Sequence, residues 1–236
     1  MRGGQACVLY GAAEFSRDTD FAILASSENL ARLRAALEDL EAEVIAVPPF
    51  EAKYLRKGHA IHFRCRHPEC AGMRIDVMTK MRGVAPFSAL WARRTSMRLK
   101  SGFACELMSL FDLVHAKKTR RDKDWPMIRR LTEVHYFANR EHPTPQQVIF
   151  WLQELRTPEL LIELVATRKL PARLTLDRPL LKLAQQGKEM DLFLRKSGWK
   201  READRQYWTP LKAELENFGT AVKKWSTRTT EAQNEA

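Results

Sequence analysis

The hydrophobic pattern of this chain changes near residue 108. Before that point, short apolar runs typical of strands alternate with one clear helical pattern, and after it helical periodicity continues almost to the end. This division predicts an α+β protein, with a small mixed β-sheet and helices over residues 1–108 and a mostly helical domain over residues 109–225. The polar residues 226–236 are expected to be disordered. A chain of 236 residues is long enough for each part to bury a core.

Turn and capping residues mark the boundaries of the predicted elements. Pro68 and Gly72 give the segment 66–72 the chemistry of a hairpin turn between two strands. Ser109 with Asp112 resembles a capping box, which predicts a helix beginning there. The strands are predicted at 21–25, 43–47, 60–65, 73–78 and 103–108, and the helices at about 30–40, 109–119, 124–139, 145–155, 157–168, 178–196 and 204–224.

The chain is strongly basic. It contains 40 Lys and Arg residues against 29 Asp and Glu residues, a formal net charge of +11. The excess is +5 in residues 1–100 and +6 in residues 101–236, so it is not confined to a tail. A basic body favours a polyanionic partner, either a nucleotide or a nucleic acid.

The sequence predicts a cytoplasmic protein with no membrane contact. No run reaches 18 apolar residues, and the first residues lack the apolar stretch of a signal peptide. The four cysteines are better explained as reduced thiols than as a disulfide framework.

Three carboxylates stand out in the predicted strands. Asp18 and Asp20 begin a strand two residues apart, so their side chains project from the same face. Two adjacent carboxylates repel each other unless a cation neutralises them, and Mg²⁺ prefers hard oxygen ligands of this kind. Asp76 is isolated among apolar residues of another predicted strand, and beside the first strand it completes a three-carboxylate cluster.

These residues resemble the nucleotidyltransferase superfamily, the fold of DNA polymerase β and kanamycin nucleotidyltransferase. The glycine pair Gly3-Gly4, the Asp18-Thr19-Asp20 motif and Asp76 match the family pattern in order and spacing. The segment 112–125 resembles the "DL…K…R…D…D" helix of stand-alone bacterial members, which include the AbiEii and MenT toxin-like proteins. The resemblance covers roughly residues 3–137.

The resemblance implies a Mg²⁺-dependent enzyme that moves a nucleoside monophosphate from a nucleoside triphosphate, such as ATP, to a hydroxyl acceptor. In this interpretation Asp18, Asp20 and Asp76 are catalytic and hold one or two Mg²⁺ ions, and Asp76 takes the proton from the acceptor hydroxyl. Asp124 is expected to orient neighbouring basic residues rather than to bind metal. The residues expected to contact the nucleotide are Gly3, Gly4, Ser16, Lys117 and Arg121.

Three functions remain open at this stage. The first is modification of RNA, including a tRNA end, as in toxin-like relatives that pair with an antitoxin or other protein partner; the +6 charge of residues 101–236 favours it. The second is nucleotidylation of a small molecule or a protein hydroxyl. The third is a binding protein of the same fold without catalysis, because Glu14 stands where related proteins often carry a phosphate-binding Arg.

Overall fold

The structure is a computed structural model, and it describes residues 1–119, 121–122, 124–168, 170–187, 206 and 208–218. It is an α+β arrangement in which a small sheet is formed by the first part of the chain and helices dominate from residue 110 onward. None of the helices within these described ranges combines the length and the apolarity needed to cross a bilayer.

The main sheet has four strands in the order β1-β4-β3-β2. The pair β1/β4 is parallel and the other two pairs are antiparallel, so the sheet is mixed, as predicted. A second, two-stranded antiparallel sheet joins β5 to β6. The strands are β1 (Asp18–Ala22), β2 (Glu43–Val44), β3 (Ile61–Arg64), β4 (Arg74–Met78), β5 (Thr95–Arg98) and β6 (Ala104–Leu107).

Some of the helices begin at side-chain caps that the sequence contains. Ser26 accepts a hydrogen bond from the backbone N–H of Asn29, and Ser109 accepts one from that of Asp112. Residues 208–218 are also helical. The helices are α1 (Gly3–Leu9), α2 (Ser27–Asp39), α3 (Ala52–Lys57), α4 (Phe87–Ala92), α5 (Leu110–Lys117), α6 (Asp124–Asn139), α7 (Pro145–Glu154), α8 (Pro158–Thr167), α9 (Ala172–Asp177) and α10 (Leu180–Gln185).

Two hydrophobic clusters fix the sheet in place. One face of β3 and β4 packs against α2, and this cluster includes Phe63, Ile75, Val77 and Leu37. The larger cluster lies among α1 and the helices from α4 onward, with Trp151 among its fully buried side chains. Because side chains alternate along a strand, the residues between the apolar ones of β4 point to the opposite face of the sheet.

Most predicted elements are confirmed, but several boundaries differ. The first strand begins at Asp18, where the spacing of Asp18 and Asp20 placed a strand start, and it ends at Ala22 rather than Ala25, because its register with β4 ends at Met78. Helix α3 and strand β5 were not predicted, since their short polar sequences carry no clear period. The predicted helix 178–196 is observed over Leu180–Gln185. Its residues from 188 onward, residues 219–225 and the predicted tail 226–236 lie outside the described residues.

Candidate functional site

The three predicted carboxylates share one face of the sheet. In the parallel pair β1/β4, Asp20 is aligned with Asp76, and Asp18 is aligned with Arg74. Aligned residues of neighbouring strands point to the same side, and residues two apart on one strand do as well. The prediction that Asp76 lies beside Asp18 and Asp20 is therefore confirmed, on the face opposite the α2 core.

The glycine pair packs directly against these carboxylates. Gly3 has a φ of +71°, and a Cβ built there would lie 1.8 Å from Oδ2 of Asp20. A Cβ on Gly4 would lie 2.4 Å from the Oγ of Ser16. Ser16 in turn donates a hydrogen bond to the backbone oxygen of Asp18 at 2.8 Å. Only glycine fits this close approach, so the sequence pattern reflects a steric requirement of the site.

Arg2 is a site residue that the sequence reasoning missed. Its backbone N–H donates to the backbone oxygen of Asp20 at 2.8 Å, and its Nη2 lies 3.1 Å from Oδ1 of the same residue. The two side chains are only 14% and 15% exposed. The Nε of Arg2 is buried and has no hydrogen-bond partner among the described residues. A cationic donor with spare hydrogen-bonding capacity is thus held inside the carboxylate cluster.

His62 and Arg74 hold Asp76 in place, and neither was predicted. His62 Nδ1 lies 2.7 Å from Oδ1 of Asp76. Arg74 donates from Nε to Oδ1 at 2.9 Å and from Nη2 to Oδ2 at 3.2 Å. A signal for Arg74 was present in the sequence, because it precedes Asp76 by two residues and so must share its face.

The surroundings shift the pKa values of Asp20 and Asp76 in opposite directions. Burial raises the pKa of Asp20, the charges of Asp18 and Asp76 raise it further, and Arg2 and Lys117 oppose the rise. Burial also acts to raise the pKa of Asp76, but hydrogen bonds from His62 and Arg74 outweigh it and hold the pKa below its usual value. The partners of Asp76 thus lower its pKa, whereas the pKa of Asp20 stays raised despite its cationic neighbours.

The basic segment after α5 is organised by Asp124. This carboxylate is buried and accepts hydrogen bonds from Thr119 and from Nε of Arg121, the latter at 2.7 Å. Lys117 Nζ lies 3.7 Å from Oδ1 of Asp124. The expected orienting role of Asp124 is therefore confirmed. Arg120 and Lys123, which belong to the same basic run, lie outside the described residues.

Lys117 and Arg121 differ in exposure. The Lys117 side chain is 13% exposed, and its charge opposes the rise in the pKa of Asp20. The Arg121 side chain is 55% exposed, and its charge acts to lower the pKa of Arg2. Both cations therefore act electrostatically on the candidate site, Lys117 from a largely buried position and Arg121 from an exposed one. Glu14 is exposed.

Comparison with known proteins does not assign the chain to a family. No family model matches it, and no curated protein matches it. What the site can do must therefore be argued from its own geometry.

The three carboxylates are the type of ligand that a hard divalent cation prefers. In the described ranges, no group of three or more His, Cys, Asp or Glu side chains is arranged to hold a metal ion as the structure stands. Two of the three carboxylates instead pair with cationic or ring-nitrogen groups, Asp20 with Arg2 and Asp76 with Arg74 and His62. Three carboxylates on one face, one of them with a raised pKa, are nonetheless a concentration of negative charge that a hard cation stabilises.

Proposed function

We propose that this chain is a Mg²⁺-dependent nucleotidyltransferase with the DNA polymerase β-like fold. It transfers a nucleoside monophosphate from a nucleoside triphosphate to a hydroxyl acceptor. The observation that carries the proposal is the alignment of Asp20 with Asp76 on one face of paired parallel strands, beside Asp18 and against the backbone of Gly3. The glycine pair lets the start of α1 approach the Asp-x-Asp motif closely, with Gly3 against Asp20 and Gly4 against Ser16.

The carboxylates have distinct roles in this reaction. Asp18, Asp20 and Asp76 would hold magnesium, which when bound would neutralise negative charge on the phosphates and on the leaving group. Asp76, kept ionised by His62 and Arg74, accepts the proton of the acceptor hydroxyl. The acceptor oxygen forms a bond to the α-phosphorus, the bond to the β-phosphate oxygen breaks, and pyrophosphate leaves.

The basic side chains hold the triphosphate. Lys117, whose charge acts on Asp20, contacts a phosphate oxygen. Arg2 donates a hydrogen bond from its otherwise unpartnered Nε–H to a phosphate oxygen when the nucleotide binds. Arg121, exposed and anchored by Asp124, contacts either the outer phosphate or the acceptor.

An RNA hydroxyl is the acceptor that the charge distribution favours. The +6 excess of residues 101–236 lies in the part of the chain that contributes Lys117 and Arg121. A polyanionic acceptor binds more tightly to such a basic surface, whereas a small neutral acceptor does not.

The test is transfer of label from each α-³²P nucleoside triphosphate in the presence of Mg²⁺. Total cellular RNA, cellular protein and a small-molecule extract are offered as separate acceptors. We expect label on RNA, and label on protein or on a small molecule would move the acceptor to the second class while keeping the reaction. Nucleotide binding without transfer to any acceptor would instead identify a non-catalytic binding protein.

Lys117→Ala is expected to weaken nucleotide affinity about ten- to a hundred-fold even without acceptor. A partly buried, charge-assisted contact to phosphate contributes about 1.5–3 kcal/mol, which corresponds to that loss. Isothermal titration with a non-hydrolysable triphosphate measures it. Lys182→Ala removes an exposed lysine from α10 and is the control for net charge. Equal affinities in the two variants would remove Lys117 from the nucleotide site.

A further inference from the structure

A cavity of about 400 Å³ opens beside the end of β1, the edge strand of the main sheet. Its walls are the residues that follow Asp20, the first turn of α2, helix α4 and strand β6. We call it the edge pocket. Its volume lies in the range of pockets that bind small molecules, and none of the groups assigned above to catalysis or phosphate binding lines it.

Aromatic side chains form much of the edge pocket wall. Phe87 and Trp91 are stacked, with ring centroids 5.8 Å apart and an interplanar angle of 21°. The guanidinium of Arg94 lies 4.2 Å from the Trp91 ring centroid. Phe103 is the most exposed of these aromatics, at 67%, so its ring offers a face to a ligand. Such a wall favours a flat aromatic molecule over a flexible aliphatic one.

The edge of β1 also brings backbone hydrogen-bonding groups to the pocket. The backbone oxygen of Asp20 accepts from Arg2 on the outer side of β1, whereas Ile23 donates to Met78 on the β4 side. Because successive residues of a strand direct their backbone groups to opposite neighbours, the N–H and C=O of Ala22 face outward, into the edge pocket. An adjacent donor and acceptor matches the hydrogen-bonding edge of a nucleobase.

The edge pocket is close to the carboxylate cluster. Ala22 lies two residues beyond Asp20 on the same strand, about 7 Å away by the rise of a β-strand. Ala22 is also the lining residue of β1 whose side chain shares the face of Asp20, so the base of a nucleotide with its α-phosphate at Asp20, one sugar away, spans the distance to this part of the pocket.

We propose that the edge pocket binds a nucleobase of the substrate, stacked on Phe103 and hydrogen-bonded to the backbone of Ala22. The inference rests on the proposed function, because the phosphate site is what brings a nucleotide to this edge. The base belongs either to the nucleoside triphosphate or to the terminal nucleotide of an RNA acceptor, and the chemistry recognised is the same.

Isothermal titration with Mg²⁺ tests the proposal on the full chain. The ligands are non-hydrolysable analogues of the four nucleoside triphosphates, inorganic tripolyphosphate, and a short single-stranded RNA with a free 3′-hydroxyl. Phe103→Ala is compared with Phe137→Ala, which removes an exposed phenylalanine of α6 outside the pocket. Phe103→Trp is a conservative variant that keeps a stacking face.

We expect Phe103→Ala to weaken binding of at least one nucleotide about five- to a hundred-fold, the loss typical of a base-stacking aromatic, with tripolyphosphate affinity unchanged. Phe103→Trp is expected to keep the nucleotide affinity of the wild type. This result would show that the loss in Phe103→Ala comes from the missing ring and not from a folding defect. If the loss appears only with the RNA, the base belongs to the acceptor and the proposal stands.

The proposal is overturned if Phe103→Ala changes neither the affinity for any of the four nucleotides nor the affinity for the RNA. In that case the edge pocket would contact a protein partner instead of a nucleobase. Failure of the proposed function has a different signature: no label is transferred to any acceptor, whereas Phe103-dependent binding of nucleotide or RNA persists.

Discussion

Replacing Asp20 by Asn is expected to reduce nucleotide transfer at least about 10³-fold. The amide keeps the shape of the side chain but removes the negative charge that stabilises the reacting phosphates. A loss of three decades corresponds to about 4 kcal/mol of transition-state stabilisation. The measurement is label transfer under the conditions that support wild-type activity, with Asp39→Asn, an exposed carboxylate at the end of α2, as the matched control.

The same variant is expected to lose stability as well as activity. Crowding of three carboxylates by itself predicts that removing one leaves the free energy of unfolding unchanged or higher. The Arg2 contact reverses that sign, because Asp20→Asn leaves a largely buried guanidinium without its counter-charge, at a cost of about 1–3 kcal/mol.

A double variant separates the two effects. Adding Arg2→Gln to Asp20→Asn is expected to recover part of the unfolding midpoint in urea but none of the transfer activity. Wild-type transfer activity in Asp20→Asn would show that the Asp-x-Asp motif takes no part in the reaction. A urea midpoint unchanged from the wild type would contradict the pairing with Arg2.

The sequence was sufficient to single out the three carboxylates, but not to show which strands lie side by side. The alternation of side chains along a strand places Asp18 and Asp20 on one face, and the isolation of Asp76 among apolar residues marks it as the polar member of a buried strand. What the pattern could not supply is the pairing of β1 with β4. That pairing joins segments more than fifty residues apart, and it alone sets Asp20 opposite Asp76.

The cationic partners were harder to predict for a physical reason. Arg2 and His62 are residues of types that are mostly solvent-exposed, and each becomes informative only when the carboxylate of the adjacent strand is known. Arg74 could have been found from the sequence, because it lies two residues before Asp76 on the same strand. Likewise, the basic residues at and after the end of α5 resemble an ordinary solvent-exposed helix face in the sequence. Only the structure shows that the buried carboxylate of Asp124 pairs with both Lys117 and Arg121.

Gly3→Ala is the substitution expected to damage the site most through packing. At φ +71° an alanine is strained by about 1 kcal/mol, and its Cβ would lie 1.8 Å from Oδ2 of Asp20. The backbone of α1 or the Asp20 side chain must move, adding about 1–3 kcal/mol of overpacking. We therefore expect a loss of about 2–4 kcal/mol in the free energy of unfolding, measured by urea denaturation.

Gly11→Ala isolates the steric part of this effect. Gly11 has nearly the same backbone conformation, with φ +76°, but a Cβ there meets no described atom within 4 Å. This control therefore incurs only the conformational strain of about 1 kcal/mol and keeps wild-type transfer activity. In Gly3→Ala, displacement of Asp20 by about an ångström lowers transfer on the order of 10²-fold. Equal midpoints and equal activities in the two variants would mean that the glycine pair does not press on the carboxylates, and the steric argument for the Gly3-Gly4 motif would fail with it.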